Sequence, residues 1–458
     1  MAVTVRKVIR KQGQPVSQVF PFTRQMIPVL SQENAPRFLR DYRLQAWEAF
    51  ESLPLPDIHM DAWRRTELRS LDAASFRLPN GGSQRIPPVP RRILRPLVGK
   101  QPGCQIVLTP QASATQASTL QITPELTARG VIFTDLKTAE RQFPEILEKV
   151  LGSLVRPSEG KFAAMAAALA QTGVLVYVPH GVQVEQPLHS VLWGPGAGLA
   201  YFSHLLVYLE PGAALTYVHE TASPTETGGQ SLHAGIVEIQ VSDGANLRFV
   251  ELQSWGSHVW NFNHERAHIG RDASLDWITA AVGSRLTKSF YDLDLVESGA
   301  TGRMSGFYFT DGNQHLDLDT QQNHLAPHTT SDLLYKGALK GKSRVVWQGM
   351  IHVSPNAQKT DGYQGNRNLV LSSKARSDSI PGLEILTNDV RCTHGATVSK
   401  IDPEQLFFLQ ARGIPRLEAE SLIVEGFFEP VLQRIPIAGV RARFRDAIKI
   451  KINHRVET

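Results

Sequence analysis

The sequence predicts a mainly β fold, a parallel β-solenoid core with helical regions at both ends, and three observations carry that reading. From Gly173 onward, short alternating apolar runs broken by Gly, Pro, Asp and Asn continue for more than 200 residues without a helical pattern among them. Within that stretch a turn-plus-strand signature recurs: HGVQV at Gly181, PGAAL at Gly212, DGANL at Gly244, RDASL at Asp272 and SGATG at Gly299, at intervals of 27 to 32 residues. Helical periodicity is confined to the flanks. A period of this length is too long for one strand and fits one coil of a solenoid, with Gly or Asp at the corner and Leu215, Leu247 and Leu275 stacking inward. An antiparallel sandwich or barrel is the competing architecture.

Taken in order, the chain divides into three parts. Residues 1–172 form a mainly helical N-terminal domain with a Pro/Arg-rich linker near 79–102. Its first helix spans Asn34 to Glu51, where Leu39, Tyr42, Ala46, Trp47 and Phe50 fall at helical spacing. A short β unit follows around CQIVLT and GVIFTDL, then helices near Pro144 to Leu151 and Phe162 to Ala170. Residues 173–400 are the solenoid core, and residues 401–458 close the chain with two or three helices.

Composition narrows the function. A chain of 458 residues with 42% apolar content buries a large core. It shows neither a secretory leader nor an uncharged apolar run of about eighteen residues, which reads as a cytoplasmic protein without a membrane role. The balance of 48 basic against 43 acidic residues is too mild to argue for nucleic acid. Cys104 and Cys392 are the only cysteines, so a disulfide framework and a self-contained four-thiolate metal site are both excluded.

Three motifs carry a chemical reading and a plain one. KGALKGKS separates its glycines, Gly337 and Gly341, by three residues where a phosphate loop needs about four, and a strand rather than a helix is expected to follow. His315, His324, His328 and His352 lie close in sequence to Asp317 and Asp319, a chemically reasonable metal set whose spacing matches no compact ligand pattern. The sharpest feature is DVRCTHGATVSK. Cys392 and His394 stand two apart in an expected strand, so one thiol and one imidazole point to one face. A tetrahedral metal or a cluster normally takes about four protein ligands, so a metal or cluster bound there needs donors from another chain. A buried core cysteine beside a hydrogen-bonded histidine is the plain alternative.

The motifs KFAAMAAAL, QNHLAPHTTSDLLYKGALKGKSRVVWQGMIHV, NAQKTDGYQGNRNLVLS, SIPGLEI, DVRCTHGATV and EQLFFLQARGI together resemble the SufB/SufD family of the Suf iron-sulfur cluster assembly system, over most of residues 160 to 430. Within it AFESLPLPDIHMDAWRRTEL, the scarcity of cysteine and the His394-Gly395 pair are most similar to SufD, although SKIDPEQLFFLQARGIPRLEAESLIVEGF also resembles the SufB tail. The resemblance implies a right-handed parallel β-helix and a non-catalytic scaffold that pairs with a SufB-type paralogue and binds a SufC-type ATPase. It implies that His394, with Cys392 as its neighbour, contributes to a transient iron-sulfur cluster site at that interface, with no intrinsic cofactor. The ATPase contact is expected on the helices around Gln405 to Phe428, through Leu406, Leu409, Ile414, Leu422 and Phe427. The alternatives are a SufB-like subunit, a self-pairing homodimeric scaffold, and a β-helix polysaccharide-acting enzyme, which would lean on Asp317 and Asp319 but lacks an evident acid partner.

Overall fold

A computed structural model describes residues 18–28, 35–79, 87–95, 97–98, 104–109, 118–120, 122–194, 196–435 and 437–453. Part of the expected linker, residues 80–86, 96 and 99–102, lies outside this set. The core is a parallel β-solenoid of about eight turns. Successive strands alternate between a ten-stranded and a nine-stranded sheet, so each coil adds one strand to each. The nine-stranded sheet runs from Thr172–Val178 to Arg376–Ile385, and the ten-stranded sheet runs from Gln105–Leu108 through Leu188–Trp193 to Val390–Lys400. At the first coil, antiparallel strands Ser118–Leu120 and Ile132–Asp135 terminate the two sheets.

The repeat is a corner repeat. Gly181, Gly212, Gly244, Asp272 and Gly299 all adopt positive φ, between 51° and 77°. That region costs little for glycine and is tolerated by Asp, which explains the residue types at these positions. Gly341 of KGALKGKS is another such corner, at φ 70°, and the strand Arg344–Val353 follows it, so the loop has no helix end to offer a phosphate.

Between corners, alternation sends one set of side chains into the lumen and the other outward. Leu215, Leu247 and Leu275 occupy one inward column in exact register from coil to coil. The outward face of the nine-stranded sheet is covered by the N-terminal region, where Leu39, Ala46, Trp47 and Phe50 of helix Arg37–Ser52 and the alanines of helix Lys161–Leu169 pack with Phe202, Ile236 and Phe262. The outward face of the ten-stranded sheet is covered by helices Arg416–Leu432 and Ala438–Asn453, where Val424, Phe428 and Phe444 meet Val250, Ile278 and Phe307. Both faces of the sheets are therefore dry over most of the solenoid, the last two strands excepted, as parallel sheets require.

Charged pegs fix these layers. Arg43 bonds Glu140 at 2.5 Å and the carbonyl of Ala170 at 2.8 Å, all buried, which locks the first helix to the following elements. Glu238 accepts from the backbone of Gly152, Leu154 and Val155 and lies 2.7 Å from His204. Lys288, fully buried, sits 3.0 Å from Asp317 and 2.8 Å from Asp319, and Thr66 donates to Asp317 from the N-terminal region. Burial raises the Asp319 carboxyl to about 6 against the pull of Lys288.

Lys288→Met would leave Asp317 and Asp319 together in a dry site. We expect a stability loss of about 3–5 kcal/mol by denaturant titration; a loss under about 1 kcal/mol would mean that water replaces the ammonium.

Candidate functional site

Among the described residues the last coil has no successor. Strands Arg376–Ile385 and Val390–Lys400 are the edges of their sheets, each paired on one side only, so the lumen opens to the surface between them. The even-numbered residues of Val390–Lys400 point inward. Cys392 continues the column of Leu275, Gly302, Ser331 and Gly362. It packs, with Val390, on Ile351, Val353 and Ala357. His394 continues the column of Trp277, Met304, Leu333 and Gln364. Cys392 is half-buried and His394 exposed because nothing stacks on them. The thiol and imidazole thus share the mouth of the lumen, as their spacing predicts.

Beneath them the lumen is polar. A Cβ at Gly362 would come within 3.2 Å of the Cys392 Sγ and 3.4 Å of the His324 Nε2, so the bare glycine leaves one small space to both groups. His324 is fully buried, with Nδ1 at 2.7 Å from Thr329 Oγ1 and Nε2 at 2.8 Å from Ser331 Oγ. Burial lowers it to about 4, so it is neutral at ordinary pH. Asn366 donates to Tyr308 Oη at 2.9 Å, Tyr308 to Asn368 at 2.6 Å, and Asn368 to Ser379 at 3.0 Å, forming a plug under the open end. Burial, with Asp361 adding to it, raises the Cys392 thiol above its ordinary value despite a backbone hydrogen bond at Gly362. It is therefore a protonated, weakly nucleophilic thiol at neutral pH.

The other histidines do not converge. His315 lies 2.8 Å from Thr66 on the outer face, His324 points inward, His328 occupies a corner at φ 59°, and outward His352 meets Glu384 at 3.1 Å. Strand parity splits what proximity in sequence grouped, and Asp317 and Asp319 are held by Lys288. Among the described residues no group of three or more His, Cys, Asp or Glu side chains is arranged to hold a metal ion.

Apolar surface surrounds the mouth: Leu383, Ile385, Leu386 and Val398 are exposed on or beside the edge strands. On the neighbouring helices Pro403–Gln410 and Arg416–Leu432, Leu406 and Leu409 are half-buried and Leu422 is exposed, and Ile414 in the turn between the helices is half-buried. Phe427 packs against Phe428 and under Lys336, whose ammonium lies 4.7 Å from its ring, so it supports the helix seat more than it offers surface. The most exposed apolar side chains there are Phe407, Phe408 and Leu417, which sequence reasoning missed. Helical spacing alone does not tell which side of an almost uniformly apolar helix faces the solenoid. The polar plug was also missed, although the alternation of Gln364, Asn366 and Asn368 reveals it once the corner fixes the parity.

A family model described as the SUF system FeS cluster assembly, SufBD core domain, matches residues 192–427, and one for the SufBD protein N-terminal region matches residues 17–189. An iron-sulfur cluster assembly SufBD family protein of Staphylococcus haemolyticus is 29% identical over 407 residues, covering 88% of this chain and 87% of the relative. The iron-sulfur cluster assembly protein SufB of Bacillus subtilis is 29% identical over 424 residues, covering 91% and 90%.

In the folded chain Cys392 should be alkylated by iodoacetamide, faster as pH rises past the ordinary thiol range, while Cys104, which is 2% exposed, reacts only on unfolding. Peptide mass spectrometry reads both, and equal protection of the two would contradict an open last coil. His394→Ala should change folding stability by less than about 0.5 kcal/mol.

Proposed function

Because the chain belongs to the SufBD family of the SUF iron-sulfur cluster assembly system, we propose that it is a SufD-type scaffold subunit whose open solenoid end pairs with a SufB-type paralogue. The observation that carries this reading is the lumen mouth, where Cys392 and His394 lie on unpaired edge strands ringed by Leu383, Ile385, Leu386 and Val398. Edge strands with free backbone groups and exposed apolar side chains call for a covering partner. A thiol and an imidazole supply two donors, and a cluster normally takes about four, so the cargo would be held only when a second chain adds its own. In that role His394 presents its imidazole to the nascent cluster. Closure of the interface would exclude water and oxygen from it.

The protein in this reading catalyses nothing itself. A SufC-type ATPase would dock on the C-terminal helices through Leu422 together with Phe407, Phe408 and Leu417, while Leu406, Leu409, Ile414 and Phe427 position those helices. The chain would act in the cytoplasm. No helix of the described residues is long and apolar enough to cross a membrane.

A SufB-like role is the second reading, favoured by the name of the Bacillus subtilis relative. Two cysteines in the whole chain weigh toward SufD, since the cluster-bearing partner needs more thiolate.

Co-expression with SufB-type and SufC-type partners, followed by gel filtration and anaerobic reconstitution with iron and sulfide, tests the proposal. Wild type and His394→Ala should both assemble, with cluster yield reduced at least about tenfold in the variant, the scale of losing one ligand-shell contact. A stable homodimer that ignores both partners would refute the heteromeric scaffold.

A further inference from the structure

Deep in the solenoid, away from the open end, the lumen contains a cavity of about 40 Å3, space for roughly two or three water molecules. Two glutamates from opposite sheets border it. Glu251 stands on strand Asn246–Ser254, and Glu265, 3% exposed, on strand Val259–Ile269. Both occupy inward columns, Glu251 between His219 and Thr279, and Glu265 between Val237 and Tyr291. The two carboxyl groups therefore face the one small cavity from opposite sides of the lumen.

Trp277 Nε1 donates to Glu251 Oε2 at 3.0 Å, and Asn263 Nδ2 donates to Ser289 Oγ at 3.4 Å. His219 Nδ1 lies 2.7 Å from Ser190 Oγ, and His233 bonds Ser203 and Asn261 at 2.9 and 2.6 Å. Tyr217, Tyr291 and Tyr335 surround the pair with neutral phenols. Among the described residues no lysine or arginine lines the cavity. Burial holds His219 near 3 and His233 near 4, so neither supplies a positive charge at neutral pH. Glu265 Oε2 and Asn263 Oδ1 are buried without a partner at the cavity wall. Two buried carboxyl groups that face one small cavity with no countercharge are not both ionised. The pair keeps a proton, and the unpartnered oxygens need water.

We propose that Glu251 and Glu265 form a water-binding acid pair that shares one proton across the lumen, and that this proton is a structural requirement of the solenoid. Water in the cavity supplies donors to Glu265 Oε2 and Asn263 Oδ1, and the shared proton joins the two sheets where coil stacking alone leaves a polar gap. The proposal is independent of what covers the open end.

The linkage has a definite sign. Burial and the neighbouring Glu251 raise the Glu265 carboxyl well above the ordinary glutamate value. Over the window from that ordinary value upward, the folded chain holds a proton that the unfolded chain has released. The associated stability is complete below the ordinary value and is lost as pH rises through the folded one.

The test is thermal unfolding of the full-length chain, wild type against Glu265→Gln, from about pH 6 to about pH 9, with infrared spectra of both. In wild type the melting temperature should fall relative to the variant by about 2 °C or more across the range. Above about pH 7, where the Asp319 carboxyl has ionised, the carbonyl stretch of a protonated carboxylic acid should be stronger in wild type than in Glu265→Gln. Parallel pH profiles with no such band in wild type would show both carboxyls ionised and overturn the proposal. Manganese(II) retained through gel filtration by wild type and not by Glu265→Gln would overturn it in favour of a cation. Should Glu265→Gln fail to fold, the wild-type band, read with Glu251→Gln, decides the matter.

Discussion

The parallel ladder of backbone hydrogen bonds that stacks each coil on the last is the constraint on which the rest of this structure depends. It fixes register over the whole core, so a residue's position in its strand decides whether its side chain enters the lumen or the outer layer. A slip of one residue would exchange the two sets, which is energetically prohibitive where both faces are buried. The same ladder has to stop somewhere. At its last rung, Val390–Lys400 and Arg376–Ile385, it leaves unpaired backbone and uncovered side chains, and the groups with chemistry to offer are placed there.

Covering the two outer faces requires the flanking helices, and their attachment uses buried charge as well as apolar contact. Arg43 and Glu238 join N-terminal segments to other parts of the fold through buried ion pairs or backbone donors, and Lys288 joins two solenoid strands through Asp317, to which Thr66 of the N-terminal region also donates. Such pairs add little net stability over a well-packed apolar substitute, but they are costly to mispair. They therefore select one docking geometry among those that apolar surfaces alone would allow. The lumen shows the same economy of polar groups. Leucine columns fill the early coils, the carboxyl pair sits midway, and an asparagine and glutamine plug lies under the mouth.

The architecture was legible because its signals are local. A left-handed corner needs Gly or a short polar residue, so Gly181, Gly212, Gly244, Asp272 and Gly299 announce their own conformation. Cys392 and His394 were legible for a similar reason, since a spacing of two within a strand fixes a shared face. The histidines His315, His324, His328 and His352 were misleading as a group. Their closeness along the chain says nothing about the parity that places them outside, inside or at a corner.

The sequence by itself determined the repeat length, the corner residues, the helical flanks and the common face of Cys392 and His394, because each depends on dihedral preference or periodicity over a few residues. Only the tertiary structure decided that this face opens at an uncapped end, that Phe407, Phe408 and Leu417 remain exposed while Phe427 does not, and that Glu251 and Glu265 face one cavity in the lumen. Those outcomes depend on which residues from distant coils and helices come together. Burial, countercharge and the termination of a ladder are properties of that assembly and of no single segment.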